Sequence, residues 1–182
     1  MGPAKPRAHS ESGFTIIEVL VAGVLLTVGL MGLAYTFTMG FAVVLTAQQD
    51  TVARQKAREA LESVLTGRNT QNITFDQIDN VGTGNGIFLT GFQPLYQSGA
   101  DGIIGTADDV GEGMETITLP GPDGVLGTAD DVVQPLGNYK RMIVITDLTG
   151  TLKQITVTIR YVTPPALTRS VVVTSYVSPY VQ

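Results

Sequence analysis

The chain has 182 residues, enough for one compact domain with an extension, and its 11 lysines and arginines against 16 aspartates and glutamates give a formal net charge of −5. This balance argues against nucleic acid as the main partner, because phosphate binding needs clustered cations. Cysteine is absent and His9 is the single histidine, so the composition excludes disulfides, thiol nucleophiles and cysteine-ligated zinc.

The first predicted element is a long apolar segment near the amino terminus. Residues 1–13 are polar and include basic side chains, whereas no charged residue occurs from Val19 to Gln49. This run exceeds the roughly 20 residues that cross a bilayer as a helix. It is also longer than the apolar region of a secretory signal peptide, which spans about 7–15 residues. A plain signal anchor would explain the length but not Glu18, because ionisable groups in membrane segments are costly and are usually paired or functional.

The start of this segment resembles the cleavage signal of type IV pilins and pseudopilins. From Gly13 the sequence reads GFTIIEVLVAGVLL. That family has a leader ending in glycine, then phenylalanine, and a glutamate at the fifth mature position, which match Gly13, Phe14 and Glu18. The phrase IEVLVAGVLL is most similar to minor pilins of the pilus-modification type.

The resemblance implies a defined maturation and assembly. A prepilin peptidase is expected to cut after Gly13 and to methylate the amine of Phe14. In the filament, Glu18 is expected to neutralise the Phe14 amine of a neighbouring subunit, since each charge alone is costly in an apolar bundle. Pairing with the amine of its own chain, one turn away, is the alternative. The cut would also remove His9, which leaves no histidine or cysteine chemistry in the mature chain, so we predict that it is not an enzyme.

The helical pattern continues beyond the apolar run. Small and apolar side chains recur at spacings of three and four through residues 53–65, and Gly67 supplies a stop signal. We therefore predict one helix from about Phe14 to Leu65. Its amphipathic half should pack on a sheet, with the anchoring contacts coming mainly from Leu61, Val64 and Leu65.

The carboxyl-terminal third predicts an antiparallel sheet of three or four strands. Segments rich in Val, Ile, Thr and Tyr, with alternating polarity, lie at 114–119, 138–147, 152–162 and 168–177. Residues 67–113 are rich in Gly and Asn, and the predicted loop region extends over 67–137, interrupted by the strand at 114–119. The predicted fold class is α+β: a long amino-terminal helix packed on this sheet, with a Gly/Asp-rich loop region.

An internal repeat lies in the loop region. The sequence DGIIGTADDV at 101–110 returns as DGVLGTADDV at 123–132, with eight of ten positions identical. Hard oxygen ligands from a short loop suit Ca²⁺, and the candidate ligands are Asp101, Asp108, Asp109, Asp123, Asp130 and Asp131. Additional candidates are Glu112, Glu115 and the carbonyls near Gly105 and Gly127. The alternative is a pair of duplicated surface turns in which aspartate caps its own backbone.

These features together predict a structural subunit, a minor pilin of a type IV pilus or related filament, with a calcium-stabilised head. The expected organisation is a removed leader at 1–13, a membrane and filament-core helix at 14–49 and a head at 50–182. Expected partners are other pilin or pseudopilin subunits, the prepilin peptidase, the inner-membrane assembly platform and, before assembly, membrane lipid.

The precursor is expected in the bacterial inner membrane with its head outside the cytoplasm, and the mature chain in a pilus or periplasmic pseudopilus. Two alternatives have the same anchored organisation. One is a pseudopilin of a type II secretion system, which the absence of cysteine favours, because type IV pilins often carry a disulfide-bounded loop. The other is a membrane-anchored, calcium-dependent adhesin.

Overall fold

The computed structural model describes residues 13–163 and 166–180 and has the predicted α+β class. Helix α1 runs without interruption from Ile16 to Asn69. The chain divides into two compact units, one ending at Val44 and the other comprising residues 45–182. The predicted leader, apart from Gly13, lies outside the described residues.

The strands of the second unit form two antiparallel sheets. The larger sheet has the order β1-β4-β5-β6, which are Gln93–Pro94 (β1), Tyr139–Thr149 (β4), Leu152–Thr163 (β5) and Leu167–Val177 (β6). A two-stranded ribbon pairs Thr116–Leu119 (β2) with Val132–Pro135 (β3). Two short 3-10 helices lie at Phe75–Gln77 and Ala107–Asp109.

The three long strands confirm the predictions, whereas the short ones depart from them. The predicted strand at 114–119 begins only at Thr116 and pairs in the ribbon rather than in the larger sheet. Strands β1 and β3 fall in stretches predicted to be loop. Each of them is short and ends in a proline, which removes a ladder donor and conceals the strand signal in the sequence.

The buried face of α1 differs from the predicted one. Small side chains form most of it, since the buried residues of the helix are Ala53, Ala57, Ala60, Val64 and Gly67. Leu61 and Leu65 are only partly buried and flank the core. The helix also continues past Gly67, the predicted stop, to Asn69. Gly67 serves close packing instead, because a Cβ at this position would overlap the Cδ1 of Ile103. Small residues thus let the head approach the helix closely.

The larger sheet has one buried and one open face. On the buried face, β5 places Ile155, Val157, Ile159 and Tyr161 in the same core as the helix alanines. Tyr161 stacks on Tyr139 with ring centroids 5.4 Å apart, and its hydroxyl donates to the carboxylate of Asp50 on α1 at 2.9 Å.

We call the open face the outer sheet face. It is formed by the alternate residues of the three long strands, which are Lys140, Met142, Val144, Thr146, Gln154, Thr156, Thr158, Arg160, Val162, Thr168, Ser170, Val172, Thr174 and Tyr176.

Candidate functional site

The predicted cleavage junction lies outside the helix. Residues 13–15 have no helical conformation, α1 begins at Ile16, and the side chain of Phe14 is 83% exposed. Thr15 satisfies the first turn, because its hydroxyl accepts the backbone N–H of Glu18 at 3.3 Å and its carbonyl accepts the N–H of Val19 at 3.2 Å. The peptide bond between Gly13 and Phe14 is therefore accessible and is free of helical hydrogen bonds.

Glu18 lies in the first turn of α1, where the helix dipole favours a negative charge. Its side chain is exposed, and no ion pair involves it within the described residues. Its neighbours along the helix are apolar, so transfer of this segment into lipid or into a helix bundle would bury an uncompensated carboxylate. Such a group needs a cationic partner.

The apolar half of α1 is exposed on all sides, from Ile16 to Leu45. It is long and apolar enough to cross a membrane. Its threonines are satisfied within the helix, since the hydroxyls of Thr27, Thr36 and Thr38 donate to the carbonyls of Gly23, Gly32 and Ala34 at 2.8–3.0 Å. This internal bonding removes the cost of placing hydroxyls in an apolar environment. A helix that is hydrophobic all round is normally buried, either in a membrane or in the core of a large protein.

The two Asp-Gly repeats share one hydrogen-bonding pattern. In the first, the N–H of Ile103 donates to Asp101, the Thr106 hydroxyl donates to Asp108 at 2.6 Å, and the N–H of Gly105 donates to Asp109 at 2.6 Å. In the second repeat the same three bonds join Val125 to Asp123, Thr128 to Asp130 and Gly127 to Asp131, at 2.6–2.8 Å. Each carboxylate therefore caps a backbone or side-chain donor of its own loop.

Glycines at matched positions allow this loop to close. Gly105 and Gly127 have φ angles of +99° and +91°, a backbone region that L side chains rarely adopt. Two further glycines just before the repeats, Gly99 and Gly121, lie against Asp108 and Asp130, and a Cβ at either would overlap that carboxylate. The structural repeat therefore includes the aligned glycines Gly99 and Gly121, which lie two residues before the ten-residue repeat.

The carboxylates differ in their surroundings. The Thr106 hydroxyl lowers the pKa of Asp108, and the Thr128 hydroxyl does the same for the pKa of Asp130. Burial raises the pKa of Asp109, which is only 2% exposed, although the N–H groups of Gly105 and Gly99 oppose that shift. Asp109 uses both oxygens, since Oδ1 also accepts the N–H of Gly99 at 2.8 Å. In the second repeat, Asp131 Oδ1 is buried without a hydrogen-bond partner.

The six predicted calcium ligands do not converge on one point in this structure. Across residues 13–163 and 166–180, no three acidic side chains come together as a metal-ligand group. The carbonyl of Gly105 accepts the N–H of Leu89, so that predicted ligand also has another partner. The observed bonds support the interpretation of the repeats as duplicated, aspartate-capped turns, and calcium binding stays a prediction.

Glu115, a candidate for completing the first calcium site, instead belongs to a buried ion-pair cluster. Its Oε1 accepts the guanidinium of Arg141 on β4 at 2.9 Å, and its Oε2 lies 3.0 Å from the ammonium of Lys56 on α1. Glu112 is exposed, and its backbone N–H donates to the carbonyl of Asp109. The cluster ties the helix, the segment before β2 and the larger sheet together.

Neither the burial of Arg141 nor that of a second cation, Lys153, was predicted from the sequence. Lys153 is 5% exposed, and its ammonium donates to Asp79 at 2.6 Å and to the carbonyls of Phe75 and Ile78. Strand alternation could have revealed both cations, because Arg141 and Lys153 occupy the same strand face as Ile143 and Ile155. Both cations link separate segments of the head, and Asp79 and Lys153 also line an open depression beside the turn between β4 and β5.

The site residues predicted from the sequence therefore form two separate groups, the processing segment and the repeats. Comparison with protein-family models, with curated proteins and with solved structures finds no match to this chain.

Proposed function

We propose that this chain is a filament subunit of the type IV pilin-like class, a minor pilin that is matured by a prepilin peptidase and assembled through α1. The observation that carries the proposal is the combination, in one segment, of a non-helical Gly13–Phe14 junction with a helix that is apolar all round and holds one carboxylate, Glu18. Cleavage at the junction places a new amine four residues before that carboxylate.

Electrostatics supports the assembly role of Glu18. An apolar helix that leaves lipid for a filament core carries its charges into another environment of low polarity. An amine on Phe14 and a carboxylate on Glu18 of a neighbouring chain would then neutralise each other. Removing one partner of a buried pair costs about 3–5 kcal/mol, so pairing across subunits would select one axial register between helices.

The head supports a structural rather than an enzymatic role. Its most buried charged side chains are engaged in hydrogen bonds and ion pairs that stabilise the fold, such as those of Asp109, Glu115 and Lys153. The mature chain would contain neither histidine nor cysteine. The proposed function is therefore to present this head on a filament.

The assembly role is tested with Glu18→Gln in cells that carry the filament machinery. The variant keeps the shape of the side chain and removes its charge. We expect the precursor to be cleaved as usual, whereas the mature chain should be lost from the sheared filament fraction and accumulate in the membrane. Thr27→Val is the matched control, because it changes another polar side chain of the same helix and should assemble normally. Normal incorporation of the Glu18→Gln chain would contradict the proposal.

The pseudopilin alternative predicts the same cleavage but another phenotype. The absence of cysteine from the chain keeps this alternative in consideration. Deletion of the gene should reduce surface pili if the chain is a minor pilin, and should block release of secreted proteins if it is a pseudopilin.

A further inference from the structure

The two repeats have the same local structure but opposite surroundings. In the first, Ile103 is 2% exposed and packs against Gly67 of α1. In the second, the matching Val125 and the next residue, Leu126, are 56% and 61% exposed. The first repeat shows that the apolar pair of this unit packs against another part of the protein. The second repeat presents the same pair with nothing in its own head to cover it.

The second repeat lies on an exposed arm, which we define as residues 116–135, the β2–β3 ribbon with its connecting loop. Apolar side chains are exposed along the ribbon as well, including Val132 at 55% and Val133 at 61%. The arm carries three carboxylates and no lysine or arginine. Burying Val125 and Leu126 on a partner would remove their apolar surface from water, which favours binding. The partner surface should therefore combine apolar side chains with positive charge.

The outer sheet face has that combination. None of its side chains is acidic, although the chain as a whole has a net charge of −5. Lys140 and Arg160 are direct cross-strand neighbours at one end. Val144, Val172 and Tyr176 supply exposed apolar area at 38%, 58% and 57%. The arm and the outer sheet face are thus complementary in charge and in apolar character.

We propose that the arm of one copy docks on the outer sheet face of a second copy. Val125 and Leu126 cover the apolar side chains of that face, and the carboxylates of the arm lie toward Lys140 and Arg160. The two surfaces are different patches of one head, so the contact is heterologous and extends from copy to copy instead of closing as a dimer. The inference deepens the proposed filament function and rests on it for the supply of neighbouring heads.

The absence of cysteine makes disulfide mapping a direct test with the full chain. Leu126→Cys and Val172→Cys chains, carrying different tags, are placed together in liposomes and oxidised. We expect a mixed 126–172 product several-fold above the mixed product of Leu126→Cys with Asn85→Cys, a control at an exposed loop position outside both surfaces. Lys140→Glu in the Val172→Cys chain should reduce the mixed product, and added salt should weaken the attraction between exposed charges and reduce it as well.

Three results would overturn the inference: equal products at positions 172 and 85, a product only between two Leu126→Cys chains, or no product at any position. Chains that also carry Gly13→Ala separate this inference from the proposed function. The head contact should form whether or not the leader is removed, so Gly13→Ala chains should also give the 126–172 product. A wild-type chain that a prepilin peptidase fails to cleave would contradict the proposed function and leave this contact standing.

Discussion

At the scale of single residues, the paired repeats provide an internal control for a buried carboxylate. Asp109 and Asp131 occupy the same position, but Asp109 accepts two backbone N–H groups and Asp131 accepts one. In an Asp109→Asn variant, the amide nitrogen would face the donor of either Gly99 or Gly105. Leaving a buried donor without an acceptor costs about 1–3 kcal/mol. Relief of the burial that raises the pKa of Asp109 offsets only part of this loss.

We therefore expect Asp109→Asn to lower the free energy of unfolding by about 1–3 kcal/mol at neutral pH, measured by urea denaturation. Asp131→Asn is the matched control, because its amide nitrogen can take the place of the unpartnered Oδ1. Its effect should stay within about 0.5 kcal/mol. Equal effects of the two substitutions would show that the second hydrogen bond of Asp109 does not stabilise the head.

Gly67 makes a second prediction at the residue scale. Ile103 lies against its Cα, so the side chain of a Gly67→Val variant would displace Ile103 from the core. Overpacking of this kind costs about 1–3 kcal/mol. Valine has a lower helix propensity than alanine, so the replacement of glycine gains little helix stability in return. Thr66→Val, at the exposed neighbouring position, should leave the urea midpoint nearly unchanged. A Gly67→Val head as stable as wild type would contradict the close packing described for the helix.

At the scale of elements, the repeats allow a test between two interpretations that the sequence left open, calcium binding and aspartate-capped turns. Aspartate capping of the loop needs no metal, and the described carboxylates have donors of their own. We therefore expect the melting temperature of a head fragment, residues 45–182, to be the same in millimolar calcium and in chelator. The buried core residues lie between Ala53 and Val177, so this fragment contains them. A rise of several degrees in calcium would establish the calcium sites predicted from the sequence.

The elements also show which parts of the fold local sequence patterns can predict. Alternation of polarity predicted β4, β5 and β6 because each has 11 or 12 residues with one face in the core. The ribbon strand β3 is exposed along its whole length, so no such pattern marks it. The alanine face of α1 was underestimated because small side chains give a weak apolar signal, although they allow the closest packing. Strand alternation places Arg141 and Lys153 on the buried face, whereas their partners Glu115 and Asp79 are revealed only by the tertiary contacts.

The sequence predicted more of the processing segment than of the repeats. The positions of Gly13, Phe14 and Glu18 follow from sequence, and their placement before and within the first turn of α1 agrees with the proposed processing. For the repeats, the sequence predicted the carboxylates but not their partners. Which oxygen accepts which N–H depends on loop closure and on Gly99 and Gly121, and these lie outside the identical stretch.

At the scale of the whole molecule, two surfaces of the chain expose apolar side chains, the apolar half of α1 and the arm. The apolar half of α1 needs lipid or neighbouring helices, and the exposed arm has a complementary surface on another head. Both requirements follow from apolar side chains that their own unit leaves exposed. In the proposed function, maturation would create the amine that lets Glu18 enter a helix bundle.

Co-expression of the full chain with a prepilin peptidase, followed by intact-mass measurement, tests this central claim most directly. The account predicts that residues 1–13 are lost and that one methyl group is added, with the new amino terminus at Phe14. A Gly13→Ala chain should keep its full length under the same conditions. An unprocessed wild-type chain, a cut that removes the apolar half of α1, or normal cleavage of the Gly13→Ala chain would contradict the account.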